Sequence, residues 1–173
     1  DAKVFLEELN RQASALQLDV SEWLGQCRQW SEKYPVVLPE YWKQKGSVNS
    51  YVLIDVLSDL LTADDTVVTD MGMAFQNTHQ AFRVKQGQHV FTNCGLAPMG
   101  WGLPAAVGAC FASRRHRTIC IAGDGGLMMN INELATVMHY QLPIKLFILN
   151  NGGYLTIKQT QQLGFENRIM GAD

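Results

Sequence analysis

Two apolar runs, Thr118-Ile119-Cys120-Ile121-Ala122 and Ile144-Lys145-Leu146-Phe147-Ile148-Leu149, limit the folds open to this chain, because each stops at a glycine-bearing polar cluster. The first runs into Gly123-Asp124-Gly125-Gly126 and the second into Asn150-Asn151-Gly152-Gly153. Counted from Gly126 through Leu149, 24 residues separate the Gly-Asp-Gly from the Asn-Asn, the length of one helix plus one strand with short joints. Runs of β-branched, Leu and Phe residues that do not alternate with polar ones read as strands covered on both faces. A helix between two such strands makes them parallel, which places both polar clusters on the carboxyl edge of one sheet, where open α/β sheets bind ligands.

The rest of the chain from Ser47 has the same texture. Periodicity and turn residues predict helices near 48–61, 73–82, 100–112 and 127–140, with further strands at Thr66-Val67-Val68-Thr69 and around His89-Val90-Phe91-Thr92. The predicted fold class is therefore α/β, a parallel sheet with helices on both faces. Ahead of it, residues 2 to about 30 space Val4, Leu6, Leu9, Ala13, Leu16, Val20, Trp23 and Leu24 at threes and fours, as one or two amphipathic helices. Tyr34-Pro35-Val36-Val37-Leu38-Pro39 cannot continue a helix, so residues 31–46 read as a linker. We expect residues 1–46 to be the helical tail of a preceding domain plus that linker, and residues 47–173 to be a ligand-binding domain truncated at its C-terminus. A start without Met and an abrupt end at Gly171-Ala172-Asp173 suggest a fragment.

Charge narrows the function. With 14 basic and 16 acidic side chains and only 17% charged residues, the chain has no electrostatic footprint for nucleic acid or an anionic membrane, which favours small-molecule chemistry. No apolar run reaches transmembrane length. Cys27, Cys94, Cys110 and Cys120 lack CxxC spacing, which points to buried thiols in a reducing, cytoplasmic setting. His79, His89, His116 and His139 show no ligand spacing and are expected to be structural or exposed.

At the paired strand ends, a carboxylate, a side-chain amide and a backbone carbonyl form an oxygen-only set. That set suits a hard divalent ion such as magnesium, which completes its octahedron from phosphate oxygens and water. Glycines beside Asp124 let the backbone approach a diphosphate, and Gly125 and Gly126 open a helix whose free amides favour anions. Taken singly, Gly-Asp-Gly is an ordinary helix-capping turn and Asn-Gly an ordinary turn. Their joint spacing favours the metal and diphosphate reading.

Gly123-Asp124-Gly125, 24 residues, then Asn150-Asn151 resembles the thiamine-diphosphate motif. Val67-Val68-Thr69-Asp70-Met71-Gly72, the stretch Gly95-Leu96-Ala97-Pro98-Met99-Gly100-Trp101-Gly102-Leu103-Pro104-Ala105-Ala106-Val107-Gly108-Ala109, Met129-Asn130-Ile131-Asn132-Glu133-Leu134-Ala135-Thr136 and Leu142-Pro143-Ile144-Lys145 are similar to the acetolactate synthase branch of that family. The resemblance covers about residues 20–165.

The resemblance implies that Asp124, Asn151 and the Gly153 carbonyl hold magnesium. It implies that the Gly95–Met99 loop holds the aminopyrimidine through the Ala97 carbonyl and the Met99 amide. The Met99 side chain would wedge between the two rings, a task suited to a polarizable thioether, and is the expected catalytic contribution of this chain. Met71, Gly72, Met73 and Ala74 would contact the diphosphate from the other side, and Gly123, Gly125, Gly126, Tyr154 and Leu155 would complete the cofactor site. Two departures stand out: Met73-Ala74 where the synthases usually carry Gln-His, and Gln159-Thr160 where a tryptophan typically shapes the acceptor pocket. Thr160 then either widens that pocket or is a solvated helix position.

The implied activity is thiamine-diphosphate- and magnesium-dependent carboligation or decarboxylation of a 2-oxo acid, acetolactate synthase-like, with chemistry carried by the cofactor. The implied assembly is a homodimer or homotetramer in which the pyrimidine-binding domain of a neighbouring subunit supplies an activating glutamate. Glu133, on the helix after the motif, is expected to be a helix-face carboxylate. The fragment alone is expected to be inactive, and FAD would depend largely on a central domain of the longer protein. Two alternatives remain at this stage. One is a non-catalytic folding or dimerisation module; the other is an NAD-binding domain, since Gly100-Trp101-Gly102-Leu103-Pro104-Ala105 fits G-x-G-x-x-A with Asp124 19 residues beyond Ala105. Against the second, seven residues, Asn93 through Met99, separate Thr92 from Gly100, whereas a dinucleotide fingerprint starts at the strand end.

Overall fold

The computed structural model describes residues 1–13, 16, 19–114 and 116–172. These fall into two compact units, Asp1–Pro35 and Val36–Asp173. The first unit holds helices α1 (Ala2–Ala13) and α2 (Ser21–Lys33), neither with a buried residue. Of the stretch expected to join them, Ser14, Ala15, Gln17 and Leu18 lie outside the described residues, as do Arg115 and Asp173. Within α2, Trp23 and Trp30 meet edge to face with centroids 5.7 Å apart.

The second unit opens with a short 3₁₀ turn, Pro39–Lys43, and then builds one sheet. Strands β1 (Thr66–Thr69), β2 (His89–Phe91), β3 (Thr118–Gly123) and β4 (Ile144–Leu149) are all parallel, in the order β2-β1-β3-β4. Helices α3 (Ser50–Leu60), α4 (Met73–Ala81), α5 (Gly102–Ala112), α6 (Asp124–Met128), α7 (Leu134–His139) and α8 (Leu155–Gly164) make up the rest. The expected α/β class, a parallel sheet flanked by helices, is what the chain adopts.

Side-chain alternation shows why both faces need cover. Val67, Ile119 and Ile121 pack with Ile54, Leu57 and Leu61 of α3 and its C-cap and with Ala74 and Ala81 of α4. Their neighbours Val68 and Cys120 point the other way, onto Ala106 of α5, and Ala122 packs with Leu103 and Leu127. Successive strand residues leave opposite faces, so a run buried at every position must be sandwiched. Helix α3 begins where Asn49 accepts the Tyr51 amide at 2.9 Å, an ordinary N-cap.

One helix differs from its sequence expectation. The predicted helix at 127–140 starts earlier, at Asp124, and is broken into α6, a 3₁₀ turn at Ile131–Glu133, and α7. The cause is Asn130, whose backbone leaves helical geometry (φ −136°, ψ 31°) while its side-chain amide donates to the Gly100 carbonyl at 2.8 Å. The amides of Met129 and Asn130 fall back on carbonyls three residues earlier, at 3.1 and 3.2 Å. Likewise α5 starts at Gly102 rather than Gly100, whose φ of +81° lies outside the helical region. Of the four cysteines, Cys110 and Cys120 are buried as expected, whereas Cys94 is exposed and Cys27 partly so. No helix among the described residues is long and apolar enough to cross a membrane.

Candidate functional site

From β1 the chain crosses to β2 on one side, then returns past β1 to β3 on the other. Such a reversal opens a crevice at the carboxyl ends of the two central strands. A cavity of about 360 Å³ lies there. It is lined after β1 by Met71, Gly72, Met73 and Ala74, after β3 by Gly123, Gly125 and Gly126, and after β4 by Asn151, Gly153, Tyr154 and Leu155. Ala97 and Met99 line it from the loop between β2 and α5. Every residue expected at the site is thus brought to one cavity except Asp124, which lies beside it in contact with Gly152 and Gly153.

Asp124 organises the loop after β4. Its Oδ2 accepts the amides of Gly152 at 3.0 Å and Gly153 at 2.8 Å. Those glycines hold φ of +76° and +110°, conformations L side chains rarely adopt, so the loop can turn both amides onto one carboxylate oxygen. The other oxygen, Oδ1, faces the Asn151 side-chain amide, one terminal atom of which lies 3.3 Å from it and 2.9 Å from the Gly153 carbonyl oxygen. With nitrogen in that position the amide donates to both. With oxygen there, carboxylate, amide and carbonyl oxygens converge on one point, a donor set that fits a hard divalent cation. Burial pushes the Asp124 carboxyl upward, but the amides of Gly153, Asn151, Gly125 and Gly152 outweigh it, and the group sits below the ordinary carboxylate value. It is therefore an anion at neutral pH.

Three helices start at this cavity. Gly72 precedes α4, Gly123 precedes α6 and Tyr154 precedes α8, and none of the three N-termini has a side-chain cap. Met73, Ala74 and Phe75 of α4 line the cavity, with Gly125 and Gly126 of α6 and Leu155 and Thr156 of α8. Uncapped first turns present N–H groups and the positive end of each helix dipole, and in α6 the Gly125 amide is already turned onto Asp124. No lysine or arginine among the described residues lines the cavity. An anion here would be met by backbone amides and a cation, which fits a diphosphate carried with a metal ion.

The glycines of α6 set how closely these parts approach. A Cβ on Gly125 would lie 2.8 Å from the Tyr154 ring, and one on Gly126 would lie 2.4 Å from Asp70 Oδ2. The first contact lets α8 start against α6. Ala97 is held at φ 49°, in the left-handed region that alanine disfavours, and its amide donates to the Asn93 carbonyl at 2.8 Å. Strain of this kind persists only where surrounding structure enforces it. Met99, 39% exposed, presents its side chain at the same cavity.

Sequence reasoning passed over five lining residues: Asp70, Phe75, Gln76, Leu149 and Thr156. Phe75, Gln76 and Thr156 lie within the first four residues of helices whose start residues were already recognised, so continuing those first turns could have found them.

Thr160 does not line the cavity. It is exposed on α8 and its hydroxyl donates to the Thr156 carbonyl at 3.0 Å, which favours the solvated helix position. Glu133 accepts from Thr136 Oγ1 at 3.0 Å and Asn132 Nδ2 at 3.2 Å, local bonds of a helix-face carboxylate. The four histidines are exposed. The G-x-G-x-x-A stretch packs rather than cradles: a Cβ on Gly100 would meet Met129 Cβ at 2.8 Å, and one on Gly102 would meet Asp70 Cβ at 2.8 Å.

Residues 70–173 match the family described as thiamine pyrophosphate enzyme, C-terminal TPP binding domain. The chain is 36% identical over 163 residues to the acetolactate synthase isozyme 2 large subunit of Escherichia coli K12, covering 93% of this chain and 29% of that protein. It is 34% identical over 149 residues to the acetolactate synthase large subunit of Pyropia yezoensis, covering 86% and 24%. With the isozyme 1 large subunit of E. coli K12 it shares 32% over 152 residues, covering 88% and 26%. The chain thus spans under a third of the length of these relatives.

Proposed function

The chain belongs to the thiamine pyrophosphate enzymes, whose C-terminal cofactor-binding domain it carries, and from that premise we propose that it anchors thiamine diphosphate through magnesium in an acetolactate synthase-like enzyme acting on a 2-oxo acid. One observation supports this reading above the others. Asp124 Oδ1, one terminal atom of the Asn151 amide and the Gly153 carbonyl oxygen converge beside three helix N-termini in a cavity that no basic side chain among the described residues lines.

In this reading Asp124 Oδ1, the Asn151 amide oxygen and the Gly153 carbonyl hold the ion, while Asp124 Oδ2 keeps the loop turned. The free amides at the starts of α4, α6 and α8 hold the phosphate oxygens. Ala97 and Met99 would serve the ring end: a carbonyl and an amide would orient the aminopyrimidine, and the Met99 thioether would pack against the rings. When bound, the cofactor supplies the carbon nucleophile and the electron sink for decarboxylation and carboligation. This chain binds, orients and shields it. The full-length protein would act as a homodimer or homotetramer in the cytoplasm, with the neighbouring subunit's pyrimidine-binding domain closing the ring end. Its flavin requirement would be set by a central domain.

The test is calorimetry on the full-length protein with thiamine diphosphate, with and without magnesium. Asp124→Ala should reduce magnesium-dependent affinity by at least the roughly 10–100-fold that loss of an outer-shell partner costs a metal site. Unchanged affinity would remove Asp124 from the metal. Tight binding of NADH without magnesium would overturn the reading altogether.

A further inference from the structure

Asp70, the residue directly after β1, is 1% exposed. A carboxylate that deep is costly unless its oxygens are satisfied. Asp70 forms no ion pair among the described residues; backbone amides face it instead. Oδ1 accepts the Met71 amide at 2.9 Å and the Gly100 amide at 3.0 Å, and Oδ2 lies 3.1 Å from the same Gly100 nitrogen. The amides of Gly102 and Trp101, where α5 begins, also act on it. Burial raises its pKa and these amides oppose the rise.

The surroundings are shaped for this side chain. Gly102 and Gly126 leave room where a Cβ would come within 2.8 Å of Asp70 Cβ and 2.4 Å of its Oδ2. One side chain therefore touches three strand-end segments: the turn after β1, the end of the Gly95–Gly102 loop, and the start of α6. Gly100, which it holds from the amide side, follows Met99 directly, and the Asn130 side chain holds its carbonyl at 2.8 Å. The post-β1 turn has other support, since the Asp70 amide continues the sheet by donating to the Ile121 carbonyl at 2.8 Å. Gly100 is clamped by Asp70 and Asn130.

We infer that Asp70 is a positioning residue that fixes the Ala97–Met99 loop, the ring end of the cofactor site, in register with the diphosphate end. The inference rests on the cofactor reading above and adds to it a residue that acts through Gly100. Replacing one carboxylate oxygen by an amide NH₂ turns a donor toward donors, which loosens Gly100 and with it Met99.

The experiment compares two probes on the full-length protein, thiamine diphosphate with magnesium and inorganic pyrophosphate with magnesium. Pyrophosphate reports the diphosphate end alone; thiamine diphosphate reports both ends. Asp70→Asn should weaken thiamine diphosphate by about tenfold or more while leaving pyrophosphate within about twofold. Asn130→Ala, which frees the other side of Gly100, should shift the ratio in the same direction by about threefold or more, and carries the test if Asp70→Asn does not fold. Equal losses for both probes in a folded variant, or no loss, would overturn the positioning role. Failure of the unsubstituted protein to bind either probe would instead overturn the cofactor reading, and this inference with it.

Discussion

Asp124, Asp70 and Asp65 are three partly or fully buried carboxylates whose proton affinities diverge because their partners differ. Amides outweigh burial at Asp124 and burial prevails at Asp70. At Asp65 the Arg117 guanidinium, bonded through two nitrogens at 2.6 Å each, holds the carboxyl below its ordinary value against the opposing effect of burial. A carboxylate with a depressed folded pKa contributes stability above its unfolded pKa, about 3.9, and that contribution disappears as pH falls through the folded value. Urea unfolding should therefore show stability falling below about pH 4, with a flatter acid limb in Asp65→Asn. At pH 7 that variant should be less stable by about 1–3 kcal/mol, because Arg117 loses one charged oxygen partner. A variant with an unchanged acid limb would assign the loss to other carboxylates. That Asp124 and Asn151 meet at one sheet edge was legible in the sequence because each follows an apolar run, in a turn whose chemistry is local; Gly153 was named only through the family resemblance. Asp70 was not legible, since its partners Gly100, Gly102 and Gly126 lie 30 or more residues away and only folding brings them to it. The trace it leaves in sequence is indirect: glycines inside helix starts where no turn needs them.

At the scale of elements, α5 separates two uses of glycine. Gly102 opens the helix with Asp70 Cβ and backbone within 2.8–3.1 Å of where its Cβ would be, whereas nothing lies within 4 Å of the Cβ position at Gly108. Gly102→Ala should cost about 1–3 kcal/mol through overpacking against a strand end that cannot retreat. Gly108→Ala, at an exposed helical position without positive φ, should stabilise by about 0.5–1 kcal/mol by restricting the unfolded chain. Thermal unfolding of the two variants should move in opposite directions, and a destabilised Gly108→Ala would contradict this account of α5. The central strands β1 and β3 were readable because runs buried at nearly every position have few other interpretations, whereas the edge strands β2 and β4 hold no buried residue, so Ile144–Leu149 is not covered on both faces as expected. The split of 124–139 into α6, a 3₁₀ turn and α7 was not readable, because it depends on the long-range bond from Asn130 to Gly100.

On the scale of the whole molecule, three helix starts line the side of the cavity proposed for the diphosphate, while the loop proposed for the ring end is open. Leu96 is 86% exposed and Met99 39%, so the loop expected to hold the reactive ring stands in water. Charge-stabilising interactions at a reacting centre gain strength when water is excluded, and Cys94 through Met99 are all exposed among the described residues. The relatives are more than three times longer than the aligned part, which leaves ample chain to supply a cover. On the proposed function, the 173-residue chain should bind thiamine diphosphate in a magnesium-dependent way yet release no carbon dioxide from a 2-oxo acid such as pyruvate above the cofactor's background in solution. The full-length protein should turn over under the same conditions. Parallel assays of the two, with EDTA controls for the metal, decide the matter. Turnover by the short chain would mean that its open ring loop closes by itself, whereas binding without turnover places the missing shield in the rest of the protein.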